Sequence, residues 1–196
     1  MKQWGKQFGA RPGWRLLTGE RSDIVGLLKA LEATNHDTPV VLIDQNGEKL
    51  RLYEDLLKGR VVVMNAFYSD CQGVCSVLLP KLAELQTAAG ERLGKDVSFL
   101  SISVDRLTDT PEKLKTYAQG LKAKPGWHFL TGDRKAVDEV LQKFGQAVDD
   151  KENHSNLLIM GNDRTGLWKK VMGLAQIQDI TTSFRSVAND EGAAKP

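Results

Sequence analysis

Arg60-Val61-Val62-Val63-Met64-Asn65-Ala66-Phe67-Tyr68-Ser69-Asp70-Cys71-Gln72-Gly73-Val74-Cys75 decides the fold. Apart from Arg60 and Asn65 its first nine residues are β-branched, apolar or aromatic, without polar alternation, the pattern of a strand covered on both faces. A short polar turn follows. From Cys75 to Leu93 the apolar residues Leu78, Leu82, Leu85 and Ala89 recur, together with Val74, at helical spacing with charges between them. A doubly covered strand running into a helix is the opening half of a β-α-β unit.

Working outward, the same grammar repeats. Val40-Val41-Leu42-Ile43 ends in the turn signal Asp44-Gln45-Asn46-Gly47, and Glu48 to Tyr53 alternates polar and apolar as a hairpin partner. Val97 to Val104 reads as the next strand. Thr110-Pro111-Glu112 opens a helix with a capping hydroxyl and Pro at the first helical position. Trp127 to Gly132 reads as a strand leading into a loop, followed by a helix through Val137, Val140, Leu141 and Phe144. Asn156 to Met160 and Leu167 to Val171 flank the turn 161–166 as a hairpin, and a last helix spans about Gln176 to Val187. The fold class expected is α/β, a thioredoxin-like mixed sheet with flanking helices, over residues 38–190, with 191–196 as a flexible tail.

Residues 1–37 read differently. Lys2 to Arg21 aligns without gaps on Lys115 to Arg134, with 9 of 20 positions identical, Pro-Gly-Trp and Thr-Gly among them. Asn35-His36 echoes Asn153-His154. The segment reads as a truncated partial repeat of the domain's second half, lacking a cysteine-bearing first half. Either it adds a strand and helix to the complete domain or it is the tail of a longer tandem protein; the second reading is favoured, because a half-domain without its partner strands has no evident use.

Composition narrows the function. The 196 residues carry a net charge of +2, so no single-sign field supports binding of nucleic acid. No apolar run approaches a membrane span, and the first residues lack the apolar core of a signal peptide, so no membrane anchor is visible. Two cysteines are too few for a disulfide framework, and a bridge four positions long would constrain the unfolded chain weakly. Their chemistry explains them better than stability does.

If the helix includes both, Cys71 and Cys75 stand at i and i+4 on one face, able to share a metal ion or bond to each other. A helix N-terminus would lower their thiol pKa. Asp70 beside Cys71 would act the other way, while favouring a cation. Asp70 and Gly73 also suggest an open loop around the pair. Two thiolates suit Cu(I), and an added imidazole allows Cu(II) as well. Three histidines are available. His36 lies in the partial repeat, and His128 falls in an apolar strand pattern that suits a satisfied core residue. His154, in a polar loop before a strand, remains as the candidate third ligand, although a loop histidine alone is as often an ordinary surface residue.

The run Gly59 to Cys75, with Ser101 to Asp105, Asp109 to Leu114, Pro125-Gly126-Trp127, Leu130-Thr131-Gly132 and His154-Ser155, resembles the Sco/SenC family over about residues 38–188. Ordinary thioredoxins use Cys-x-x-Cys, so Cys-x-x-x-Cys with a distant His is specific. The resemblance implies a copper-binding metallochaperone for assembly of the copper centre of cytochrome c oxidase, with Cys71, Cys75 and His154 as ligands. Its partner would be a copper-accepting protein such as an oxidase subunit, its location periplasmic or membrane-associated. Asp105 and Asp109 would be loop acids near the site that orient it or meet a partner; ordinary turn and cap roles, Asp109 capping the helix at Thr110-Pro111, are equally open. The family often has Pro after each cysteine, where this chain has Gln72 and Ser76. The alternative function is a thiol–disulfide oxidoreductase with Cys71 and Cys75 as its redox pair.

Overall fold

The structure, a computed structural model, describes residues 39–146, 151 and 154–192. The partial repeat at 1–37, its His36 and the last four residues of the tail lie outside the described residues. Seven strands and four α-helices are described: β1 Val41–Ile43, β2 Lys49–Arg51, β3 Val61–Phe67, α1 Cys75–Ala89, β4 Val97–Ser103, α2 Pro111–Gly120, β5 Trp127–Leu130, α3 Arg134–Lys143, β6 Leu157–Asn162, β7 Leu167–Met172 and α4 Ile177–Ala188. β1 and β2 form a hairpin. The other five strands make one sheet in the order β5-β4-β3-β6-β7. β3, β4 and β5 run parallel, whereas β6 is antiparallel to β3 and β7 to β6. This is the mixed thioredoxin-like sheet.

β3 is central, and all seven of its residues are buried, as its unbroken apolar run requires. Val61, Val63 and Phe67 face a layer built by α1, α2 and α4, with Leu78, Leu82, Leu114, Ile180 and Phe184. Val62, Met64 and Ala66 face the opposite layer, where α3 supplies Val137, Val140 and Leu141 and the hairpin supplies Leu42. One polar chain crosses the core: Trp127 Nε1–H donates to Ser101 Oγ (3.0 Å), and Ser101 Oγ–H donates to Asn65 Oδ1 (2.8 Å). It satisfies three buried polar groups on three adjacent strands.

Local expectations are corrected in two places. The strand expected through Tyr53 ends at Arg51, and Leu52–Leu57 forms a wide π-helical turn instead. Leu52, Leu56 and Leu57 then share an inward face, which strand alternation would have split. Helix α1 begins at Cys75, so Cys71 lies in the turn before it and the two cysteines are not one helical turn apart.

The Pro-Gly-Trp run is structural. Gly126 has φ +96°, and a Cβ there would stand 2.2 Å from Gly94 N, so only glycine lets β5 begin against the Leu93–Gly94 backbone.

The topology positions the site. β3 and β4 end on the same edge of the sheet, so the chain leaves them at Tyr68 and Val104 side by side. Antiparallel pairing, with Met64 opposite Ile159, brings the start of β6 to that same edge. Segments far apart in sequence therefore converge beyond the C-terminal ends of β3 and β4, the usual ligand position in such sheets.

Candidate metal centre

Past β3, the Cys71 N–H donates to the Tyr68 carbonyl (3.2 Å) and closes a turn, and the chain enters α1 four residues later. Asp70, Gln72 and Gly73 are exposed, but both thiols point inward: Cys71 is 7% exposed and Cys75 fully buried, packed with Leu78 and Leu79. The open loop expected from the neighbouring residues is therefore true of the backbone and not of the sulfurs.

His154, three residues before β6, reaches over this turn. Its Nε2 lies 3.0 Å from Cys75 Sγ and 3.9 Å from Cys71 Sγ. The two sulfurs and this nitrogen all lie within 4.8 Å of one another, and all three residues are buried. Among the described residues this is the one such group. His128 is not part of it. That side chain sits on β5 with Nδ1 buried and without a hydrogen bond, 3.8 Å from the Asp44 carboxylate, so it is not the satisfied core residue its strand pattern suggests.

The hydrogen bonds assign the imidazole tautomer. His154 Nδ1 lies 2.8 Å from the Lys151 carbonyl, which only accepts, so Nδ1 carries the proton. In the neutral ring Nε2 then presents its lone pair to the two sulfurs. The Tyr68 ring packs edge-on against the imidazole with centroids 5.3 Å apart, and Lys151 Nζ lies 5.2 Å from the Tyr68 centroid.

Burial is the dominant influence on Cys75. It pushes the thiol up to about 12, the Cys71 hydrogen bond adding to the effect and the Tyr68 backbone opposing it. For Cys75 the depressed pKa expected at a helix N-terminus is thus overturned: desolvation in an apolar pocket outweighs the partial charge of the helix end. Asp70, expected to act on Cys71, gives its carboxylate to Lys113 Nζ at 2.7 Å on the surface.

The two acids of the β4–α2 connection have distinct jobs. Thr110 caps α2, its Oγ1 accepting from Lys113 N, so the capping role open to Asp109 is not the one it takes. Asp109 is 1% exposed and accepts three hydrogen bonds: from Ser69 N–H (3.0 Å), Ser69 Oγ–H (2.5 Å) and Ser103 Oγ–H (2.5 Å). Asp105 accepts from Lys151 Nζ at 2.7 Å, and that ammonium, followed by Thr108, holds its carboxyl below the ordinary range.

The SCO1/SenC family model matches residues 28–189. The chain belongs to the SCO1/SenC family. Among the relatives of this family member, a SCO2-like protein of Rickettsia prowazekii is 31% identical over 106 residues, which are 54% of this chain and 49% of that protein. The chain spans about half to three-fifths of the length of the curated relatives it matches. A SCO1/SenC family lipoprotein of Bacillus anthracis superposes with a TM-score of 0.65 at 28% identity, covering 78% of this chain and 94% of that one. BsSco, described as a member of the Sco family of cytochrome c oxidase assembly proteins and as bearing a disulfide switch, gives 0.62 at 26%, covering 76% and 91%. Bradyrhizobium japonicum ScoI with copper bound shares the fold, with a TM-score of 0.60 at 23% identity, covering 76% and 96%.

The donor set fits a soft ion. Three ligands around one ion at about 2.0–2.3 Å stand roughly 3.5–4 Å apart. Of the sulfur–nitrogen separations, 3.9 Å falls within that span and 3.0 Å lies short of it. Two thiolates and a neutral imidazole are the ligands copper takes in either oxidation state.

Proposed function

We propose that this protein is a copper chaperone: Cys71, Cys75 and His154 hold copper as cargo and pass it by ligand exchange to a copper-poor acceptor, a cytochrome c oxidase subunit. The observation that carries the reading is the convergence of both sulfurs with an Nε2 whose lone pair is already aimed at them. Disulfide exchange needs no imidazole there. The copper-bound ScoI structure supports the metal, and the family description of BsSco supports the acceptor. Loading removes the Cys75 proton, which must leave to solvent if His154 Nε2, 3.0 Å from Cys75 Sγ, is to keep its lone pair for the metal. An exposed turn at 70, 72 and 73 leaves one side of the buried donors within reach of a partner's ligands. We further propose a membrane-associated or periplasmic location, on the strength of the lipoprotein relative; among the described residues no helix is long and apolar enough to cross a membrane.

Thiol–disulfide exchange through Cys71 and Cys75 is the second reading. Both are free thiols with sulfurs in mutual reach, and the disulfide switch of BsSco favours it. The burial that raises the Cys75 pKa makes Cys75 a poor attacking thiol, which leaves Cys71, the more exposed of the two, as the nucleophile of such an exchange.

His154→Ala separates the two. The reduced wild-type protein develops visible thiolate-to-copper charge-transfer absorption with Cu(II); the variant loses it and loses at least about tenfold in Cu(II) affinity, while its rate of disulfide exchange is retained. Unchanged copper binding in His154→Ala would remove the three-ligand site.

A further inference from the structure

The three donors come from two segments, since Cys71 and His154 are 83 positions apart. Both are tied to the short connection between β4 and α2.

Asp109 reaches the cysteine segment. Its carboxylate takes both the N–H and the Oγ–H of Ser69, two residues before Cys71, so the turn that presents the first sulfur hangs from one buried carboxylate. Lys113 Nζ, 3.9 Å from Asp109 and 2.7 Å from Asp70, supplies a counter-charge from α2. Asp105 reaches the histidine segment. It grips Lys151 by the ammonium, and the carbonyl of that same Lys151 takes the His154 Nδ1 proton. Ser103 joins the two acids: its hydroxyl donates to Asp109 and accepts from the Asp105 N–H at 3.0 Å. Asp109 N–H also donates to the Asp105 carbonyl at 2.8 Å.

We propose that Asp105 and Asp109 are the positioning residues of the metal site, Asp109 setting the cysteine turn through Ser69 and Asp105 setting the His154 ring through Lys151. Neither touches the metal. The division of labour has a chemical consequence, because two thiolates suffice for Cu(I) whereas Cu(II) calls on the imidazole. Loosening the Asp105–Lys151 tie should therefore weaken Cu(II) binding selectively. Loosening the Asp109–Ser69 tie should weaken both oxidation states together.

The inference rests on the three-ligand copper reading, and the test keeps the two apart. Cu(I) and Cu(II) affinities are measured by chelator competition for wild type, Asp105→Asn, Lys151→Met, the double variant, Ser69→Ala and His154→Ala. The His154 tautomer is read from ring 15N shifts in the metal-free proteins, and thermal unfolding reports the fold. Asp105→Asn and Lys151→Met should each lower Cu(II) affinity about 10–100-fold and leave Cu(I) within about threefold. The double variant should be no worse than the worse single one, and the Nδ1–H tautomer should give way to a mixture. Ser69→Ala, milder than replacing the buried acid, should lower both affinities by a similar factor. A wild-type tautomer and wild-type Cu(II) affinity in Asp105→Asn would overturn the proposal, as would equal loss of Cu(I) and Cu(II) there. If His154→Ala keeps full Cu(II) affinity, the three-ligand reading falls instead, and the tautomer in the metal-free variants alone decides whether Asp105 aims the ring.

Discussion

Alkylation of Cys75 is the sharpest test of how the buried site controls its own chemistry. The reagent is iodoacetamide, which reacts with thiolates, and the protein is reduced and metal-free. At pH 8 an ordinary thiol with a pKa near 9 is about one-tenth thiolate, whereas one pushed up to about 12 is about one ten-thousandth. Ionisation alone thus slows Cys75 about 1,000-fold relative to the same cysteine in the urea-unfolded chain, and its complete burial slows it further. Slow reaction from burial alone keeps an ordinary pH profile, so the profile is the decisive readout. Peptide mass spectrometry from pH 7 to 10.5 should show the unfolded chain's rate levelling off above pH 9, while folded Cys75 keeps climbing about tenfold per pH unit. The same displacement has a stability sign. A group whose pKa is raised on folding contributes stability that is complete below pH 9 and is lost as pH rises towards 12. A folded-state profile that levels off near pH 9 would refute the claim that desolvation governs this thiol.

Two further substitutions test the frame around the site. Gly126→Ala forces a left-handed residue and sets a Cβ 2.2 Å from backbone that cannot yield; it should cost about 2–5 kcal/mol in denaturant unfolding, and a loss below about 0.5 kcal/mol would show that β5 can shift away from Gly94. His128 is held below its ordinary pKa by burial, the Asp44 carboxylate only partly opposing this. Its contribution is therefore present above pH 6.5 and lost as pH falls below that value. His128→Phe should flatten the fall in unfolding midpoint between pH 7 and 5, and an unaltered slope would place the acid sensitivity elsewhere.

What could be read before folding follows from how rare each residue's chemistry is. β3 was legible because a run from Val61 to Tyr68 that is apolar but for Asn65 has one economical home, the middle of a covered sheet. The cysteines were legible because two thiols four apart serve a protein of this size poorly as a staple. His154 was half legible: its place before a strand was visible, but only the antiparallel insertion of β6 beside β3 carries that position to the cysteines. The electrostatics were misread for a physical reason. A helix N-terminus is a local feature and shows in sequence, whereas the desolvation of Cys75 arises from Leu78, Leu79 and Tyr68 closing over it, and that exists only once the chain has packed. Asp109 makes the same point more strongly. Next to Thr110-Pro111 it reads as one of two adjacent caps; of its actual partners, Ser69 and Ser103, the first lies 40 positions away. Lys151 carried no signal at all, since its contribution to the imidazole is a backbone carbonyl that any residue possesses. Donor atoms are announced by residue type, but their aim is set by common acids, serines and carbonyls whose roles depend on what the fold brings next to them. That is why the ties from Asp105 and Asp109 had to be found in the structure, and why loss of the Asp105 tie should change which oxidation state of copper the site holds before it changes whether the protein folds.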